Sequence, residues 1–72
     1  MSDAAVVVAL GADVRARRKV LGLRQEELAE LAGVSVRFVR SLEHGKSTVR
    51  IDKLVAVLQA LGLELRAHLR EV

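Results

Sequence analysis

Four segments of the chain repeat apolar residues at the spacing of an amphipathic helix. The clearest stripe follows the i, i+3, i+4, i+7 rule and comprises Ile51, Leu54, Val55, Leu58 and Leu61. Together with the glycines that follow each segment, the spacing predicts helices over residues 7–21, 25–32, 35–44 and 50–61. The other residues that we expect to face the core are Leu10, Val14, Leu21, Leu23, Leu28, Ala29, Leu31, Ala32, Val39 and Leu42.

After Gly62 the pattern changes to a period of two, which is typical of a half-buried strand. Over residues 63–70 charged positions alternate with apolar ones, which are Leu63, Leu65, Ala67 and Leu69. A lone strand cannot satisfy its backbone groups, so we expect it to pair antiparallel with the same strand of a second copy. The chain then divides into a helical domain, residues 1–62, and a dimerisation strand, residues 63–72. A fifth amphipathic helix or a frayed tail is the alternative.

Size and composition restrict the class of protein. The 72 residues have room for one small domain, and the absence of cysteine excludes disulfides and thiolate metal sites. The apolar run at residues 4–10 is too short to span a bilayer and has no basic leader, so we expect neither a membrane segment nor a signal peptide. A chain without cysteine fits the cytoplasm.

The charge is modest in total but unevenly distributed. The formal net charge is +3. The basic clusters are Arg15, Arg17, Arg18 and Lys19, and Arg37, Arg40 and Lys46. The acidic residues of a separate face are Glu26, Glu27 and Glu30. Segregated charge favours a polyanionic partner, with a solvated surface as the alternative.

Residues 25–43 have the pattern of two short helices that cross at a tight turn. Ala29 is the small residue that a close crossing needs, and Gly33 supplies the positive φ at the corner. The apolar positions expected at the crossing are Leu28, Ala32, Val34, Val39 and Leu42. The occurrence of the small residue, the glycine and the five apolar residues at these positions favours a helix-turn-helix. A helical bundle with no role in DNA binding is the alternative.

With these residues in place, the chain resembles the phage-repressor and Cro type of helix-turn-helix protein, the xenobiotic-response-element family. The resemblance covers about residues 10–65 and rests on residues 15–18, 21–23, 25, 27–29, 32–35, 39, 42–43, 45–46 and 54–62. Residues 38–46, 48–50 and 61–65 look closest to the HipB-like antitoxin branch. The resemblance implies a mainly α, four- to five-helix lambda-repressor-like DNA-binding domain whose C-terminal β-strand pairs across a dimer.

The resemblance also implies which residues meet double-stranded DNA. Those expected to face the bases of the major groove are Ser35, Val36, Arg37, Arg40 and Ser41. Of these, Arg37 is the strongest candidate for a bidentate contact to guanine, although a solvated helix face is the alternative for Arg37 and Arg40. Those expected at the phosphate backbone are Arg24, Gln25, Lys46 and Arg50. Arg18 and Glu43 match positions that form a structural ion pair between helices in this family.

One residue departs from the family pattern. Thr, Ser or Asn usually precedes Gln25 and caps the second helix, whereas this chain has Arg24. Arginine is a poor N-cap, at a cost of about 1 kcal/mol. We expect Arg24 to compensate by lying near a phosphate.

The residues predict no enzyme, metal or cofactor site. His44 and His68 lie far apart in sequence without ligand spacing around them. The function expected is a sequence-specific transcriptional repressor that binds a near-palindromic operator as a homodimer. The alternatives are an antitoxin that acts mainly by binding a HipA-like kinase toxin, and an oligomerisation module that never touches DNA.

Overall fold

Four helices build the fold over residues 3–46 and 48–68, which are the residues that this computed structural model describes. They are α1 (Asp3–Val20), α2 (Gln25–Ala32), α3 (Val36–Glu43) and α4 (Ile51–Ala60). Helix α3 packs against both α1 and α2, and α4 closes the other side of α2. The prediction of a mainly α fold is therefore confirmed.

The predicted bounds of the last three helices are close to the observed ones. Helix α2 has the predicted limits, and α3 and α4 begin and end one residue inside theirs because Ser35, His44, Arg50 and Leu61 are cap residues. Helix α1 begins four residues before the predicted start at residue 7. The Ala- and Val-rich stretch before that point contains no glycine or proline to stop a helix.

The corner between α2 and α3 has the predicted geometry. Gly33 adopts φ 70° and ψ 32°, a left-handed conformation that costs glycine little. The backbone N–H of Val34 donates to the carbonyl of Ala29 at 3.0 Å, which closes the turn. Ser35 then caps α3, since its Oγ accepts from the backbone N–H of Phe38 at 3.0 Å. Ala29 itself is buried at the crossing.

Helix α1 approaches the end of α3 so closely that only glycine fits at the contact. A Cβ atom on Gly11 would overlap the backbone carbonyl of Leu42. One turn earlier, Val8 lies against Gly45, where a Cβ atom would be 2.7 Å from Val8 Cγ2. These contacts fix α1 beside the C-terminal end of α3.

The core differs from the predicted one at a few positions. The buried apolar residues are Val14, Leu28, Ala29, Val39, Leu42, Leu54, Val57, Leu58 and Leu61. Leu21, Leu31 and Ile51 were expected inside, but they are 44%, 64% and 65% exposed. Leu21 lies in the turn after α1, and Leu31 and Ile51 lie on helix faces that no other described element covers. The buried stripe of α4 starts one turn later than predicted and includes Val57, which the prediction omitted.

The predicted C-terminal strand is not supported over the part of it that the structure of the single chain describes. Residues 63–68 form neither strand nor helix. Leu63 packs against the core, but Leu65 and Ala67 are exposed, and Leu69 lies outside the described residues. The alternating pattern is not sufficient, because a strand also needs a neighbouring strand to pair with its backbone groups.

Candidate nucleic-acid interface

Helix α3 presents one polar face to solvent. Val39 and Leu42 point into the core, so Arg37, Arg40 and Ser41 lie on the opposite side of the helix. Arg37 and Arg40 are exposed, whereas Ser41 is half-buried. Among the residues described, the Arg37 side chain has no hydrogen-bond or ion-pair partner. Its guanidinium is therefore free to bind an external partner.

Val36, another predicted base-reading residue, lies at the edge of this face. It is half-buried and packs against the core, so only part of its side chain is available to a partner. Ser35 is exposed, but its hydroxyl oxygen already accepts the capping hydrogen bond from Phe38. The hydroxyl proton of Ser35 remains available as a donor.

A basic groove runs from α3 across the loop to the start of α4. It has a volume of about 450 Å³ and is lined by Ser35, Arg37, Phe38, Ser41, Lys46, Thr48, Arg50 and Lys53. Four of these side chains are cations and none is acidic. The groove therefore joins the predicted reading residue Arg37 to the predicted phosphate contacts Lys46 and Arg50.

The groove includes three residues that the sequence analysis did not predict as DNA contacts, Phe38, Thr48 and Lys53. The Lys53 ammonium lies 5.9 Å from the centre of the Phe38 ring, a cation–π distance that holds it at the groove. The sequence signal was weak, because a single lysine in the first turn of a helix is common on any solvated surface. Arg50 is also held locally, since its Nε lies 2.9 Å from Asp52 Oδ1.

Arg40 is held by residues at the start of α2. Its Nε donates to Gln25 Oε1 at 3.3 Å, and its NH2 lies 3.7 Å from Glu26 Oε1. The Gln25 amide in turn donates from Nε2 to Glu43 Oε1 at 3.3 Å. Gln25 therefore bridges α2 and α3, and Arg40 is positioned at the edge of the interface.

Arg18 and Glu43 form a buried ion pair beneath this bridge. Arg18 Nε donates to Glu43 Oε2 at 2.7 Å and Arg18 NH2 to Glu43 Oε1 at 2.9 Å, and their side chains are only 11% and 3% exposed. The remaining nitrogen, NH1, donates to the carbonyl oxygen of Leu23 at 2.8 Å. Since every branch of this guanidinium is engaged internally, Arg18 joins α1, α3 and the turn before α2.

The pair controls the protonation of Glu43. Burial alone would raise the pKa of this carboxyl group, but hydrogen bonds from Arg18 and Gln25 and the charges of Arg18 and Arg15 outweigh it. The pKa of Glu43 therefore lies below its ordinary value, and the group is a carboxylate at neutral pH. The pKa of Arg18 is raised, chiefly by its hydrogen bond to Glu43.

Helix α2 begins without the side-chain cap that Thr, Ser or Asn would provide at position 24. The Arg24 side chain provides no cap, but its backbone N–H donates to Glu27 Oε1 at 2.9 Å, and its Nε lies 3.2 Å from the same oxygen. The hydrogen bond from the Arg24 backbone lowers the pKa of Glu27. Glu27 thus supplies one half of a capping box.

The geometry as a whole defines the class of protein. A glycine-cornered pair of helices presents arginines of the second helix beside a basic groove, which is the arrangement of a helix-turn-helix that binds DNA. The sequence profile of the Helix-turn-helix family matches residues 14–67. The chain therefore belongs to this family, and it is a DNA-binding transcriptional regulator.

Two relatives support this assignment. The chain is 52% identical over 56 residues to an uncharacterized HTH-type transcriptional regulator, y4mF, of Sinorhizobium fredii, a match that covers 78% of this chain and 74% of the relative. It is 37% identical over 59 residues to an uncharacterized HTH-type transcriptional regulator of Methanothermobacter thermautotrophicus, with 82% of this chain and 81% of the relative covered. Among the described residues, no helix is long and apolar enough to cross a membrane.

Proposed function

We propose that this regulator is a sequence-specific repressor that binds a near-palindromic operator as a homodimer. The observation that carries the proposal is Arg37, an exposed guanidinium that has no partner among the described residues and lines a groove rich in cations. Arginine is the side chain best suited to read guanine O6 and N7 in the major groove. Two copies of α3 would occupy successive major grooves, about 34 Å apart.

The other predicted contacts take different roles in this proposal. Lys46 and Arg50, which line the groove beyond Arg37, meet the phosphate backbone and fix the register of α3. Gln25 donates to a phosphate with the amide hydrogen that Glu43 does not use. Arg40 contacts the DNA from the edge of α3, with Gln25 as its support.

The test is selection of bound duplexes from a random-sequence pool, followed by gel shifts at fixed salt concentration. Enrichment of an inverted repeat supports the proposal, and retention of no duplex refutes it. Arg37→Ala should weaken operator binding by about 1–3 kcal/mol and relax the preference at one base pair. Lys46→Ala is the matched control, because loss of a phosphate contact weakens binding to all sequences alike. Equal weakening by Arg37→Ala on every sequence would rule out Arg37 as a base-reading residue.

A second candidate function is that of an antitoxin in the HipB-like branch, which restrains a HipA-like kinase toxin and represses its own operon. It is favoured by large apolar side chains that stay exposed outside the basic groove, including Val20 at 75% and Leu65 at 42%. Such side chains suit a protein partner, either a second copy or a toxin. Size-exclusion chromatography with light scattering tests whether two copies of the chain associate. Co-purification with the product of a neighbouring gene tests for a toxin partner.

A further inference from the structure

A small polar cleft lies where α1 passes the start of α2 and the end of α3. It has a volume of about 170 Å³ and is lined by Arg15, Arg18, Gln25, Glu43 and His44. A single water needs only about 10–15 Å³ of such space, so the cleft has room for a group of several heavy atoms. Of the lining residues, only Gln25 is among the DNA contacts considered above.

The charges of the cleft do not cancel. Arg18 and Glu43 neutralise each other in their buried, two-pronged ion pair. The exposed side chain of Arg15 makes no hydrogen bond or ion pair with another residue in the described ranges 3–46 and 48–68. The charged residues that line the cleft, Arg15, Arg18 and Glu43, therefore carry a net charge of +1.

The donors of the cleft suit a phosphate group. One amide hydrogen of Gln25 is used by Glu43 and the other remains free. The guanidinium of Arg15 offers a planar fork of N–H donors, a geometry that matches two oxygens of a phosphate. The position of Gln25 is fixed by the ion pair beneath it, so the amide is oriented before any ligand binds.

We propose that Arg15 and Gln25 together bind one phosphate of the DNA backbone, so that α1 takes part in DNA binding from outside the two-helix motif. The proposal rests on the DNA-binding function proposed above and adds a binding residue to it. Lys19, which lies one helical turn further along α1, is also exposed but does not line this cleft. Lys19 is therefore a matched control for Arg15, with the same charge on the same helix.

The first test compares Arg15→Gln and Lys19→Gln with the wild-type chain on the selected operator. Each phosphate contact that is lost reduces the slope of log K against log salt by about 0.9. For Arg15→Gln, the rise in Kd between 50 and 200 mM salt should therefore shrink by about 3.5-fold relative to wild type. Lys19→Gln should change it much less. An equal change in both variants would overturn the cleft as a specific site, since α1 would then act only through its general charge.

The second test removes the charge from the DNA instead of the protein. The phosphate that meets Gln25 is located by ethylation interference, as the position whose interference disappears in Gln25→Ala, and is then replaced by a neutral methylphosphonate. The effect of Arg15→Gln should vanish on this duplex and persist on a duplex substituted at a neighbouring phosphate. Circular dichroism at the same temperature shows whether each variant is folded.

The outcomes separate this inference from the proposed function. If the wild-type chain retains no duplex, both the proposed function and the phosphate contact of Arg15 are refuted. If the wild-type chain binds an operator and folded Arg15→Gln keeps the wild-type salt slope, only the role of Arg15 is refuted.

Discussion

Removal of Glu43 tests whether the buried ion pair holds the interface together. In Glu43→Ala the Arg18 guanidinium stays buried and loses its hydrogen bonds from Nε and NH2, while NH1 keeps its bond to Leu23. Removing one partner of a buried pair costs about 3–5 kcal/mol, because the remaining charge is left without compensation. A domain of 72 residues has a total stability of about 4–11 kcal/mol, so the substitution removes a large share of it.

The assay is urea unfolding at neutral pH. The chain has no Trp or Tyr, so helix content is followed by far-ultraviolet circular dichroism. With a slope of about 1 kcal/mol per molar urea, the expected loss moves the midpoint down by about 3–5 M. A variant that is already unfolded without urea is consistent with a loss of stability near the upper end of the expected range of about 3–5 kcal/mol.

Two control variants separate the effect of the Arg18–Glu43 ion pair from the effect of removing any carboxylate. Glu30→Ala removes an exposed carboxylate from α2 and should change stability by no more than about 0.5 kcal/mol. The double substitution Arg18→Met with Glu43→Leu removes both charges and should recover most of the loss, because apolar residues of similar volume often replace a buried pair without cost. A loss below about 1 kcal/mol in Glu43→Ala would refute the reasoning, since the pair would then be effectively solvated.

Two further predictions follow from the same region. Gly11→Ala should destabilise the fold by about 1–3 kcal/mol in thermal or urea unfolding, because the alanine Cβ would meet the Leu42 carbonyl. Alanine by itself favours helices, so a stabilised variant would contradict the close contact between α1 and α3. Because the pKa of Glu43 is lowered in the folded state, its contribution to stability is complete above the ordinary carboxyl pKa and is lost as pH falls through the lowered value. Urea midpoints measured from neutral to acid pH should fall accordingly, and less steeply in Glu43→Gln; equal slopes would assign the acid sensitivity to other groups.

The local features of this protein were predictable from its sequence because each depends on neighbours in the chain. The spacing of apolar residues places α2, α3 and α4, and Ser35 and Gly33 mark the cap and the corner between the motif helices. The pairing of Arg18 with Glu43 came from the family resemblance, since no local rule relates residues that are 25 positions apart. The distances between their atoms follow only from the fold.

Tertiary packing decided the rest. Whether Leu31 or Ile51 is buried depends on which helix faces have a neighbour, and this information is absent from the periodicity of a single helix. The alternating residues after Gly62 do not form a strand at 63–68, because a strand depends on hydrogen bonds to another segment. The sequence by itself determined the helices, their turn and the exposed Arg37. Only the tertiary structure placed Lys53 at the groove and brought Arg15 and Gln25 to the same cleft, because both arrangements arise from the way separate helices pack together.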